Sequence, residues 1–211
     1  SPFWVKINKM FHNPSKILLL SISIILLLFI SIFLVFFVLF PKFVFATTAG
    51  PNFPSTAVND TSIGTVAWTN PGNVTSSNNV YATAFLSEDT SNYIKATNFG
   101  FSIPAGSTID GILVEWEVSK NGPPAKDAAA RIVKRGTIGT TDRKNATDWT
   151  GIDTFLSHGN PSDLWGLTWT SADINATDFG AALSAVHEVG GGGTTAQVDS
   201  VRITVFYNCP L

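Results

Sequence analysis

Twenty-four consecutive residues without a charge, Ile17 to Phe40, constrain this chain more than any other feature in it. At ~1.5 Å per helical residue the run reaches about 36 Å, enough to cross a hydrocarbon core of roughly 30 Å with some tilt. Only Ser21, Ser23 and Ser31 interrupt it, and a hydroxyl can bond back to its own helix. Lys6, Lys9 and Lys16 precede the run without an acidic residue, whereas all fifteen Asp and Glu follow it. An excess of Lys on one short flank marks the cytoplasmic side, so the long C-terminal part reads as exported.

The expected organisation is a cytoplasmic flank over 1–16, a transmembrane helix or signal core over 17–40, a spacer over 41–60 and an exterior domain over 61–211. If translation starts at Met10, residues 1–9 do not belong to the protein. Val44-Phe45-Ala46 reads as a cleavage site. The two outcomes are a membrane protein with an exported domain anchored through Ile17 to Phe40, or a protein secreted after cleavage near Ala46. From Thr47 onward there are nine Lys or Arg against fifteen Asp or Glu, a formal net charge of −6. An acidic exterior disfavours nucleic acid as a partner, because phosphate binding needs a concentrated basic face. The chain has one cysteine, Cys209, so no internal disulfide holds the domain and packing alone must do so.

Beyond the spacer, period-two alternation recurs. Ile112, Val114, Trp116 and Val118 share one face and Leu113, Glu115 and Glu117 the other; Val201, Ile203, Val205 and Tyr207 repeat the pattern near the end. Shorter strand candidates are 65–69, 80–86, 93–101, 130–135, 152–157, 164–170 and 179–186. Thr47 to Asp60 reads as a spacer or a first edge strand. Thr170 with Asp173 predicts one capped helical turn, and Gly190 to Gly193 a flexible hairpin tip. Many short strands with turn residues between them predict an all-β fold, an antiparallel β-sandwich of jelly-roll type preceded by one N-terminal hydrophobic helix.

Trp68 to Pro71, Asn98 to Pro104, Gly111 to Glu115, Ser162 to Thr170, Ala172 to Asn175, Phe179-Gly180 and Val198 to Val205 together give the domain a family likeness. It resembles a recurrent β-sandwich module of bacterial secreted or cell-surface proteins and of phage structural proteins. The resemblance implies a fold and a location. That module has no settled activity, so it brings no catalytic residue with it.

Candidate chemistry is sparse. Glu115 and Glu117 would sit ~6.6–6.8 Å apart along one strand face, near the roughly 6.5–9.5 Å wanted by an inverting glycosidase. Two carboxylates that flank a sugar must approach it from opposite sides, however, so an outward face kept soluble is the expected reading. His158 and His187 cannot build a three-His zinc site, and no H-E-x-x-H or G-x-S-x-G motif occurs. Asp60 and the stretch Asp142 to Asp148 are the places where a structural calcium could sit. Trp165 and Trp169 are expected in the core, as are Trp68 and Trp116. Trp149, between Asp148 and Thr150, is the aromatic expected at the surface and the candidate ligand contact. The leading expectation is a non-catalytic surface module for adhesion, binding a glycan or a surface protein. The alternatives are a polysaccharide-acting enzyme using loop carboxylates such as Asp110, Asp153 or Asp163, and a phage or filament subunit.

Overall fold

The computed structural model describes residues 21–31, 46–188 and 190–209. The chain divides into two compact units, 1–43 and 44–211. In the first, residues 21–31 form helix α1, and Ile22 to Ile30 carry exposed apolar side chains on every side. A helix apolar all round has no face suited to water. The Ser31 hydroxyl donates to the Leu28 carbonyl at 3.2 Å, the back-bond expected of a serine in such a run. Among the described residues no helix is long and apolar enough to cross a membrane. The rest of the expected span, 17–20 and 32–40, lies outside the described residues, as do Met10 and Val44-Phe45.

The second unit is a two-sheet antiparallel sandwich. Its strands are β1 (Ala46–Asn52), β2 (Thr56–Asp60), β3 (Ala82–Leu86), β4 (Tyr93–Thr97), β5 (Thr108–Asn121), β6 (Lys126–Lys134), β7 (Thr137–Ile138), β8 (Thr154–Asn160), β9 (Gly180–Val186) and β10 (Thr194–Asn208). One sheet runs β1-β10-β5-β8, with β3 pairing the N-terminal end of β10; the other runs β2-β4-β9-β6-β7. The segment read as a spacer or first edge strand supplies β1 and β2, one to each sheet.

The alternation in the sequence sets the faces. Ile112, Val114, Trp116 and Val118 of β5 and Val201, Ile203 and Val205 of β10 point into the sandwich and are buried. Opposite them the second sheet offers Ile94, Ala96, Ala130, Ile132, Ala181 and Leu183. Small alanines on one sheet leave room for Trp116, Trp165 and Phe179, which is how two twisted surfaces fill a core without voids. Burying each large apolar side chain contributes about 1.5–3 kcal/mol.

Three expected elements are different in the structure. Residues 65–69 make only the isolated bridges Val66–Ser91 and Thr69–Thr83. Residues 164–170 turn instead of extending, because Trp165 and Gly166 both adopt positive φ (57° and 69°) and Asp163 Oδ1 accepts the Trp165 amide at 2.8 Å. Gly190 to Gly193 cross from one sheet to the other and close no hairpin, since β9 and β10 are not paired. The capped turn is present as α2 (Ser171–Asn175): Thr170 Oγ1 accepts the Asp173 amide and the Asp173 carboxylate accepts the Thr170 amide.

Candidate functional site

The outer face of the first sheet carries a row of polar and aromatic side chains. On β5, Leu113, Glu115, Glu117 and Ser119 point outward, in register with Thr204, Arg202, Ser200 and Gln197 of β10. On the other side, β8 sets Ser157 against Glu115 and Phe155 against Glu117. The Arg202 guanidinium grips Glu115 in two hydrogen bonds of 2.8 and 3.1 Å and lies 3.9 Å above the Phe155 ring. Glu117 instead accepts from Ser200 Oγ at 2.8 Å. The two glutamates therefore have separate partners, one an ion pair and one a hydroxyl, and do not form an acid and base facing a common substrate.

Beside Glu117 lies the aromatic group. In β3, Ala82, Ala84 and Leu86 are buried, so Tyr81, Thr83 and Phe85 face outward. The Tyr81 hydroxyl donates to Asp153 Oδ2 at 2.7 Å, and Ser119 Oγ donates to Asp153 Oδ1 at 2.7 Å. Because β10 runs between β3 and β5, the Tyr81 side chain crosses it on the outer face to reach Asp153. Ser119 and Ser200 are buried although they point outward, which fits their position beneath this side chain and the two carboxylates. The buried Asp199 accepts the amides of Asn78 and Val80, both at 3.1 Å, and so fixes where the chain enters β3. The hydrogen bond to Asp153, then burial, then the charges of Asp153, Asp199 and Glu117 push the Tyr81 hydroxyl up to about 12. Tyr81 thus stays neutral, with its proton committed to Asp153 and its ring half-exposed on the sheet.

The other residues singled out from sequence are placed elsewhere. Trp149 is 2% exposed, and the surface position expected for it is corrected. The reason is that residues 139–149 run along the edge of β6: the amides of Gly139, Arg143 and Trp149 donate to the carbonyls of Ile132, Ala130 and Ala125, which turns the indole inward. There Trp149 Nε1 donates to Asp127 Oδ1 at 2.9 Å, while Asp127 Oδ2 accepts the Asn145 amide and meets His158 Nε2 at 2.7 Å. Trp165 is buried and donates to the Ile112 carbonyl; Trp169 packs against Phe179 with its centroid at 5.4 Å. Asp110 accepts from Asn208, and Asp163 pairs with Arg143. Asp60 is filled by Ser62 and Lys95, and Asp142 Oδ1 by the Ala130 and Lys144 amides. Among the described residues no three His, Cys, Asp or Glu side chains come together as a metal ion would need. His187 is buried between the Pro124 and Gly192 carbonyls, and Cys209 is exposed.

A cleft of about 770 Å³ lies away from Tyr81, bounded by residues 63–65 and 88–90 and by the start of β6, and no aromatic side chain lines it. Tyr81 is the residue that sequence reasoning missed. The signal was present: in Val80 to Leu86 the small or apolar residues Ala82, Ala84 and Leu86 share one phase, which puts Tyr81 on the other.

No family model matches the chain, and no curated protein matches it. Solved structures do. One, described as a family-4 carbohydrate-binding module, is 13% identical, covers 70% of this chain and 92% of its own, and gives a TM-score of 0.36. A family-61 carbohydrate-binding module in complex with β-1,4-galactotriose is 14% identical, covers 70% and 86%, and gives 0.33. The enzymatically active domain of tailspike protein 4 of bacteriophage CBA120 is 10% identical and gives 0.31; it covers 75% of this chain, which spans only 19% of it. Carbohydrate-binding modules and a phage domain are thus among the solved structures that this chain is similar to, and what it binds has to be read from its own residues.

Proposed function

We propose that the sandwich is a non-catalytic glycan-binding module displayed outside the cytoplasm, held by Ile17 to Phe40 or released by cleavage near Ala46. The observation that carries this reading is the Tyr81 ring on the outer face of the first sheet, with Asp153 and Glu117 beside it. A sugar ring has an apolar C–H face and a rim of hydroxyl donors. An aromatic ring matches the first and carboxylate oxygens the second, and both are needed to bind a sugar out of water. The partners of the loop carboxylates support the non-catalytic reading. Asp110, Asp153 and Asp163 accept from Asn208, from Tyr81 and Ser119, and from Arg143, so no two of them share a site partner. The uncharged run and its basic flank support the location.

The test is a glycan array together with a hydrolysis screen on the purified chain, the array including β-1,4-galactotriose. Binding without turnover is the expected result, and Tyr81→Ala should weaken it roughly five- to tenfold, the scale of one aromatic stacking contact. Turnover of a bound polysaccharide would replace this reading with the enzymatic one. An array without any binding would remove the glycan as partner.

A further inference from the structure

Phe85 is an aromatic residue that the core does not use, the most exposed of the described aromatics in the sandwich at 63%, on a strand whose alternate residues Ala82, Ala84 and Leu86 are fully packed. It shares its phase with Tyr81, which immediately precedes β3 four residues away, and extended chain sets their Cα atoms ~13 Å apart. Between and beside them lie short polar side chains: Thr83, then Thr195 and Gln197 of β10 in register with Phe85 and Thr83. The crossover from β9 ends against this ring. A Cβ at Gly193 would come within 2.2 Å of Phe85 Cζ, so the ring holds its place only because that position has no side chain.

We propose that Phe85 is a second aromatic contact of the same site, and that the site therefore selects linear, uncharged oligosaccharides of three or more sugar units lying along β3. This rests on the glycan reading above and adds to it a length and a direction. Two rings carried on Cα atoms ~13 Å apart do not both pack against one sugar. They can hold two rings of one chain with a further unit between them, whose hydroxyls meet Thr83, Thr195 and Gln197. A disaccharide on Tyr81 does not reach Phe85. The alternation of apolar ring and hydroxyl floor along the strand matches the alternation of ring face and hydroxyl edge along a glycan.

The experiment uses the full chain in a detergent without a sugar headgroup and titrates neutral oligosaccharides from two to six units by calorimetry. Affinity should rise roughly tenfold between the length that covers Tyr81 alone and the length that reaches Phe85. Phe85→Ala should abolish that rise and leave the disaccharide affinity unchanged, Phe85→Tyr should restore it, and Gly193→Val should mimic Phe85→Ala by displacing the ring. Unfolding midpoints near that of the parent protein show that Phe85→Ala and Phe85→Tyr keep the fold. If short and long oligosaccharides bind alike, or Phe85→Ala lowers every length equally, the second contact is wrong while the glycan reading stands. If nothing binds at any length, both fall together.

Discussion

Asp173 shows how much one carboxylate can do when the chain brings it four donors. Burial by itself would raise its pKa, but the Thr170 hydroxyl and amide, Lys134 and Arg135 more than offset this and hold it down to about 2. A carboxyl depressed in the folded state stabilises the fold above its ordinary value of 3.8, and that contribution is lost as pH falls from there through about 2. Urea midpoints of the native protein should therefore drop steeply between about pH 4 and pH 2, and Asp173→Asn should flatten the drop in that window. Asp173→Ala removes the reciprocal half of the capping box together with both ion pairs and should cost at least ~0.5–2 kcal/mol, the scale of a lost helix cap, read from the same urea curves at pH 7. Tyr81 moves the other way. Its hydroxyl is raised from 10.0 to about 12 by Asp153, so the stability tied to that hydrogen bond is complete below pH 10 and disappears as pH rises through 12. In an ultraviolet titration, Asp153→Asn should return one of the tyrosines towards its ordinary value.

At the scale of elements, turns decide more than strands do. The stretch 160–170 folds back on β5 because Trp165 Nε1 donates to the Ile112 carbonyl at 3.0 Å, and Gly159 lies in the way with φ of +76°. A Cβ there would stand 2.5 Å from the Ile112 carbonyl oxygen and 2.8 Å from Trp165 Nε1, so Gly159→Ala must both strain the backbone and part the indole from its acceptor. The expected loss is about 2–4 kcal/mol in chemical denaturation, with the near-ultraviolet tryptophan signal altered. A substitution two residues earlier on the same strand, at the exposed Ser157, Ser157→Ala, touches no such contact and should leave both readings unchanged. Strands were legible where alternation was long, as in Ile112 to Val118 and Val201 to Tyr207. The 164–170 stretch has a similar rhythm of Leu and Trp, but an aspartate accepting a backbone amide and two residues at positive φ override it.

At the largest scale the two sheets are joined by packing and by a buried polar link. Asp127 of β6 receives Trp149, the Asn145 amide and His158 of β8, and so ties the second sheet to the first through a carboxylate only 2% exposed. Asp127→Ala would strand the buried Trp149 and His158 rings and the half-buried Asn145 amide, and should destabilise the domain by roughly 3–5 kcal/mol in denaturant titrations. With Cys209 as the single cysteine, a reducing agent should leave the monomer's unfolding midpoint unchanged. The period-two pattern determined from sequence alone that the domain is a sandwich, which faces of β5 and β10 are buried, and that α2 is capped by Thr170, because those features depend on neighbours two to four residues away. The uncharged run likewise fixed an expectation of export through local hydropathy. The alternation over 80–86 puts Tyr81 and Phe85 on one phase, but the tertiary structure alone decided that this phase stays open, that Trp149 is core, and that Glu115 is spent on Arg202 while Glu117 accepts from Ser200. Those placements depend on which strand pairs with which, and on the path of loops such as 139–149 and 190–193, and no local periodicity encodes either.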